Sequence, residues 1–344
     1  MSEPYEVLYN RILDATATFN IPIKIFVMFV VVRFSTPEMR SFSLLLLNGL
    51  FWNFMANLIF VFLHLYPMYP AECFRADGMV SLFSKSETFG HIMFCVLFFC
   101  ILNCVLALAF TFPYRYMIFA HPITVARLKK HWIIAFFAAV HVVTASIFVF
   151  VYIFWVVPSA EYPIKEELLE GRNLFCFMPY GPDKDHALLM FLIVMVQGLV
   201  IGLGSTFLLL LSIHRASLIC NNAYLQSHKR ILWTLIWITC IPLFIGAIPL
   251  VIALVTAMNP HIPYAKFICM VSIILIANHG TAYAIALIIA IKPFRIAVQR
   301  MVRNVLKPNA TSVIVVSNLL LTTENRTNAG QHLSGIDPSS NILI

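Results

Sequence analysis

The sequence predicts an all-α membrane protein: a seven-transmembrane helix bundle, N-terminus outside, C-terminus cytoplasmic, with an amphipathic helix after the seventh span. Three observations carry this. Of 344 residues, 61% are hydrophobic and only 11% charged, where a soluble domain has about 25% charged residues. Seven apolar stretches reach the roughly 20 residues that a helix needs to cross a hydrocarbon core. The basic residues between those stretches collect on one side.

The spans lie near 17–34, 42–66, 87–112, 132–157, 186–213, 231–258 and 265–291. The first is interrupted by Pro22 and Lys24 and closed by Arg33. It is expected to survive because a lysine can snorkel its ammonium to the interface. The other six are near-continuous apolar runs. Residues 1–16 carry Glu3, Glu6, Arg11 and Asp14 with no basic lead into an apolar core, so they read as an extracellular N-terminus and not as a cleaved signal. The membrane domain thus runs over 17–291. In 292–307, Phe294, Val298, Met301, Val302 and Val305 recur at helical spacing, with Arg295, Arg300, Arg303 and Lys307 mainly on other faces. That pattern suits a helix lying on an anionic leaflet. Residues 308–344 are rich in Asn, Ser and Thr and read as a flexible cytoplasmic tail, whose apolar patch at 313–321 is too short to span.

Orientation follows from the loops. The connections 35–41, 113–131 and 214–230, the end after 291 and the boundary Arg33 hold fifteen Lys/Arg and three acids. The opposite side holds six Lys/Arg and twelve acids, counting the boundary Glu87. The net charge of +8 is therefore a leaflet asymmetry rather than the footprint of a nucleic-acid partner. Cys73 and Cys176 are the two cysteines this topology places outside. A disulfide between them would pin the 158–185 loop over the mouth of the bundle.

Catalytic signatures are missing. No HxxxH or HExxH pair, G-x-S-x-G elbow or Walker loop occurs, so neither an enzyme, a metal site nor a cofactor is expected. Lysines lie only at the ends of the seventh span, at Lys266 and Lys292, which argues against a retinal pigment. The rival class is a transporter or channel. An odd span count, no repeat and no acid expected to be buried in a span weigh against it.

Polar residues inside the spans are the candidates for function. Asn53 and Asn57 share a face of the second span at i,i+4, while Asn48 points elsewhere. His91, Gln197, Asn278 and His279 are candidate ligand contacts, in a pocket expected in the outer half among spans three, five, six and seven. Their alternative role is interhelical glue. Pro242 and Pro249, with Gly246 between them, are expected to kink the sixth span.

The stretch "NHGTAYAIALIIAIKPFR", with "TPEMRSF", "LLLLNGLFWNF" and "PYRYMIFAHP", resembles the nematode serpentine chemoreceptors of the Str superfamily, which includes Srh, Sri, Srd and Str. The likeness spans nearly the whole chain. It implies a G-protein-coupled chemosensory receptor for a small molecule, an odorant or pheromone, signalling to a heterotrimeric G protein from the plasma membrane of sensory cilia. Tyr114-Arg115-Tyr116 stands where rhodopsin-like receptors carry Asp/Glu-Arg-Tyr, so Arg115 is the candidate G-protein-facing arginine, without an acid before it. Arg127, Lys129, Lys130, Arg215, Lys229 and Arg230 are the further inner-loop candidates.

Overall fold

The computed structural model describes residues 4–36, 39–79, 81, 86–127, 129–167, 174–219 and 223–306. The tail at 308–344 and the Lys130 side chain lie outside that description. Among the described residues, seven helices are long and apolar enough to cross a membrane. They are Pro4–Phe34, Arg40–Leu63, Glu87–Ala120, Lys130–Trp155, Pro182–Ile219, a three-part sixth span from Ala223 to Met258, and Ala265–Ala290. Without water in the hydrocarbon, each backbone N–H and C=O must be bonded within its own helix. The side chains follow the same solvent. Phe19, Phe150, Leu203 and Trp237 are exposed on the outer face, where lipid would meet them.

The first helix begins at Pro4, thirteen residues before the expected start at 17. Residues 5–16 are amphipathic: Tyr9 and Leu13 are buried, and the Tyr9 hydroxyl donates to the Leu65 carbonyl at 2.7 Å. Glu6 pairs with Arg75 at 2.6 Å. Glu6 and Asp14, two of the acids that made this segment look like a free terminus, face Arg75 and His64 at the outer loops.

Those outer loops are not coil. They form a four-stranded antiparallel sheet in the order β1-β2-β4-β3, comprising β1 (Leu65–Pro67), β2 (Cys73–Ala76), β3 (Val156–Val157) and β4 (Leu174–Phe177). An otherwise all-helical expectation misses it because strands of two to four residues carry almost no periodic signal. Cys73 stands opposite Cys176 in the ladder, and the two are joined in a disulfide across 103 residues of sequence. Beneath the sheet, Phe74, Phe94, Phe175 and Phe177 pack against Tyr152 and Trp155.

The sixth span contains the main irregularity. Between the α-helical parts Ala223–Ile241 and Ile248–Met258 lies a π-helical turn, Pro242–Ala247. Pro242 has no N–H to give to the carbonyl four residues back, so the chain widens there to i→i+5 bonding. The seventh span ends at Ala290. Pro293 opens the next helix, Lys292–Leu306, and Arg295 Nη1 donates to the Ile289 carbonyl at 2.9 Å. A cation thus satisfies an orphan carbonyl at a helix C-terminus.

Candidate functional site

The site grows from Lys24. Snorkelling is the expectation for a lysine in a span, but Lys24 is fully buried. Because the helix runs from Pro4 to Phe34, Lys24 lies about 15 Å from its inner end at 1.5 Å per residue, beyond the reach of a lysine stem. Its Nζ donates instead to Asn53 Oδ1 at 2.5 Å. No carboxylate pairs with it among the described residues.

From Asn53 the chain of bonds has one direction. His279 Nδ1 lies 2.5 Å from the Ile276 carbonyl, which can only accept, so the ring proton is on Nδ1. Nε2 is then the acceptor for the Asn53 amide at 2.9 Å. Lys24 donates to Asn53, Asn53 to His279, and His279 to the backbone. Asn20 and Asn57 both donate to the Ala277 carbonyl, at 3.1 and 2.8 Å. Spans one, two and seven are thereby stitched by side-chain amides.

Two glycines make the seam possible. A Cβ on Gly280 would lie 1.6 Å from Asn53 Oδ1, so only glycine after His279 lets the asparagine reach both partners. A Cβ on Gly246 would lie 2.9 Å from the His279 ring. The histidine therefore rests against the π-helical turn of the sixth span. That explains the His-Gly pair: one residue makes the bond, and the other makes the room.

His279 and Asn53 also line a cavity of ≈ 220 Å³. Its wall comes from the second, third, fifth, sixth and seventh spans and includes Leu108, Phe112, Gly198, Thr206, Leu243 and Gly246. The lining is predominantly apolar, as small-molecule sites usually are. A second chamber of ≈ 70 Å³ lies under the sheet, and Phe60, Ile101, Leu250 and Ile276 border both. The expected pocket lay in the outer half; only the smaller chamber is there, while the larger one is centred on the middle of the spans, reaches inward to Phe112 and Ile236, and is bordered also by the second span.

Of the four candidate ligand residues, the structure brings only His279 to this cavity. His91 is buried behind Phe175 and Phe177, with ring centroids 5.3 and 5.2 Å away. Gln197 is exposed and faces a crevice between the fourth and fifth spans. Asn278 turns toward the first span, with Nδ2 3.4 Å from Thr16 Oγ1. At the opposite end, the Arg115 guanidinium carbon lies 3.8 Å over the Phe42 ring. Arg127, Lys129, Arg215, Lys229 and Arg230 are exposed.

Sequence reasoning passed over Glu72. It is 3% exposed, lines the upper chamber and pairs with Lys184. Burial pushes its carboxyl up to about 7, against the pull of the Lys184 ammonium. Its partner is 112 residues away in sequence, so no local pattern could have signalled the pair.

The description "Serpentine type 7TM GPCR chemoreceptor Srh" matches residues 6–304. The chain belongs to the Srh family of serpentine chemoreceptors. Among solved structures this Srh protein is similar to squid rhodopsin, at TM-score 0.62 and 13% identity over 89% of each chain. At that identity the likeness speaks for the fold, a seven-helix receptor bundle. A comparison with curated proteins finds no match. The motif that suggested the family, Asn278-His279-Gly280 through Lys292-Pro293-Phe294-Arg295, is also where this Srh chain builds the seam and closes the seventh span.

Proposed function

We propose that this Srh receptor detects a small, mainly apolar molecule in the paired chambers and answers by activating a heterotrimeric G protein. One observation supports it above the rest. The cavity wall and the π-helical turn share Pro242, Leu243 and Gly246, and π turns recur at functional sites. A ligand that fits the cavity better with the turn relaxed shifts the sixth span by its differential affinity for that state. The inner end of that span then moves relative to Arg115 and the exposed basic residues, which suit an acidic G-protein surface. The charge asymmetry supports an outside N-terminus, and a plasma-membrane location in sensory cilia is what the family implies. The basic face of Lys292–Leu306 suits the anionic inner leaflet.

The test is expression in cells with a G-protein-dependent reporter and a panel of small volatile molecules. A response that disappears when the G protein is inactivated supports the proposal. Lys24 is the one feature a transporter would share, since buried intramembrane charges often mark transport paths. Substrate flux or current without any G protein would favour that rival.

A further inference from the structure

Glu72, in the wall of the upper chamber, carries an unanswered acceptor. The Glu72 backbone is fixed on both sides: its N–H donates to the Tyr162 hydroxyl at 3.0 Å and its carbonyl accepts from Phe177 at 2.9 Å. One carboxylate oxygen, Oε1, is held by Lys184 Nζ, which also donates to the Pro179 carbonyl at 3.0 Å. The other, Oε2, is buried and has no hydrogen-bond partner among the described residues. Among the described residues, no nitrogen or oxygen donor in the chamber wall is free to fill that role. The Trp155 indole N–H donates to the Met178 carbonyl, the Tyr69 hydroxyl is engaged with Thr256 and Cys269, and the remaining wall is mainly aliphatic and phenyl surface. Buried acceptors are ordinarily paired, and one left open in a cavity calls for a donor from outside the protein.

We infer that the ligand is a small alcohol, its hydroxyl donating to Glu72 Oε2 in the upper chamber and its apolar body extending into the main cavity. The inference rests on reading the chambers as the ligand site. A neutral donor is favoured over an ammonium because Lys184 already balances the carboxylate, and a second cation would sit beside the first. The size follows from the main cavity. An apolar cavity of about 150 Å³ takes benzene, so ≈ 220 Å³ suits a molecule of about eight to ten non-hydrogen atoms.

The test uses purified full-length receptor and sets of primary alcohol, ketone and methyl ether matched in heavy-atom count, with binding read by calorimetry. At a pH well above 7, where the Glu72 carboxyl is ionised, each alcohol should bind at least about tenfold tighter than its ketone or ether, the range for a hydrogen bond to a charged acceptor. In Glu72→Gln, Lys184 holds the amide oxygen and turns the NH₂ toward the chamber, so the ranking should reverse in favour of the ketone. Equal affinities within each set for the wild type overturn the inference, as does a panel in which nothing binds. An alcohol preference that survives Glu72→Gln overturns it too. Should that variant fail to fold, the wild-type ranking decides alone. An alcohol that binds with the expected preference yet evokes no G-protein response overturns the proposed function and leaves this inference standing.

Discussion

The lid and the cavity floor of this receptor are held by different means. At the lid, a disulfide and a four-stranded sheet press aromatic rings from three elements together, and the residues involved are among the most buried in the chain. At the floor, spans one, two and seven meet through single hydrogen bonds among Lys24, Asn53 and His279, and the sixth span touches them where a Cβ is missing at Gly246. Covalent and aromatic packing resists displacement. A seam of individually modest bonds beside a π turn can re-form in a second arrangement. The contrast implies a rigid cap over a chamber whose far wall is free to move.

The contrast can be broken from either end. The largest effect is expected at the lid. Replacing Cys73 and Cys176 by Ser opens a loop of 103 residues and should cost about 4 kcal/mol, seen as a lower melting temperature in detergent. Next comes Gly280→Ala, which drives a methyl into Asn53 and breaks both of its bonds. A cost of about 3 kcal/mol should appear as lost surface expression. Gly246→Ala should cost about 1–2 kcal/mol and blunt ligand response. Gly204→Ala, with no atom within 4 Å of the added carbon, should be neutral or stabilise by about 0.5–1 kcal/mol.

Two smaller effects sharpen the picture. With no acid pairing with Arg115 among the described residues, its stacking on Phe42 holds it in place. Phe42→Leu should forfeit about 1 kcal/mol and raise ligand-free signalling up to about fivefold. The last effect is a pH dependence. The Glu72 carboxyl titrates near 7 in the fold against an ordinary 4.5, so between those values the folded state binds more protons than the unfolded one. Stability then falls as pH rises through that window and levels off above it. The melting temperature of the wild type, measured relative to Glu72→Gln, should decline from about pH 4.5 to 7. A flat difference would contradict the raised value.

Much of this was legible in the sequence, because hydropathy reports helix length directly and loop charge reports sidedness. His279 was legible as a polar residue within a span, either a ligand contact or interhelical glue, and the structure gives it both a bond to Asn53 and a place in the cavity wall. The rest depended on distances no local window contains. Lys24 looked like an interfacial lysine until the start of its helix at Pro4 set its depth. His91 and Gln197 carried the right chemistry at plausible depths, but small rotations of a helix decide whether such a side chain meets a cavity, an aromatic cluster or the outer face. Pro242 signalled a kink, whereas the π turn it forms depends on how the sixth span packs against His279.

Gly246 seats the His279 ring, and through this contact the sixth span would sense the cavity. A double-mutant cycle on Gly246→Ala and His279→Ala measures it most directly, read as melting temperature of the purified receptor. Gly246→Ala should be costly in the wild type and nearly free once the imidazole is gone, a coupling of about 1–2 kcal/mol. Equal cost in both backgrounds would show that the glycine serves some other contact, and the proposed link between cavity and sixth span would fall with it.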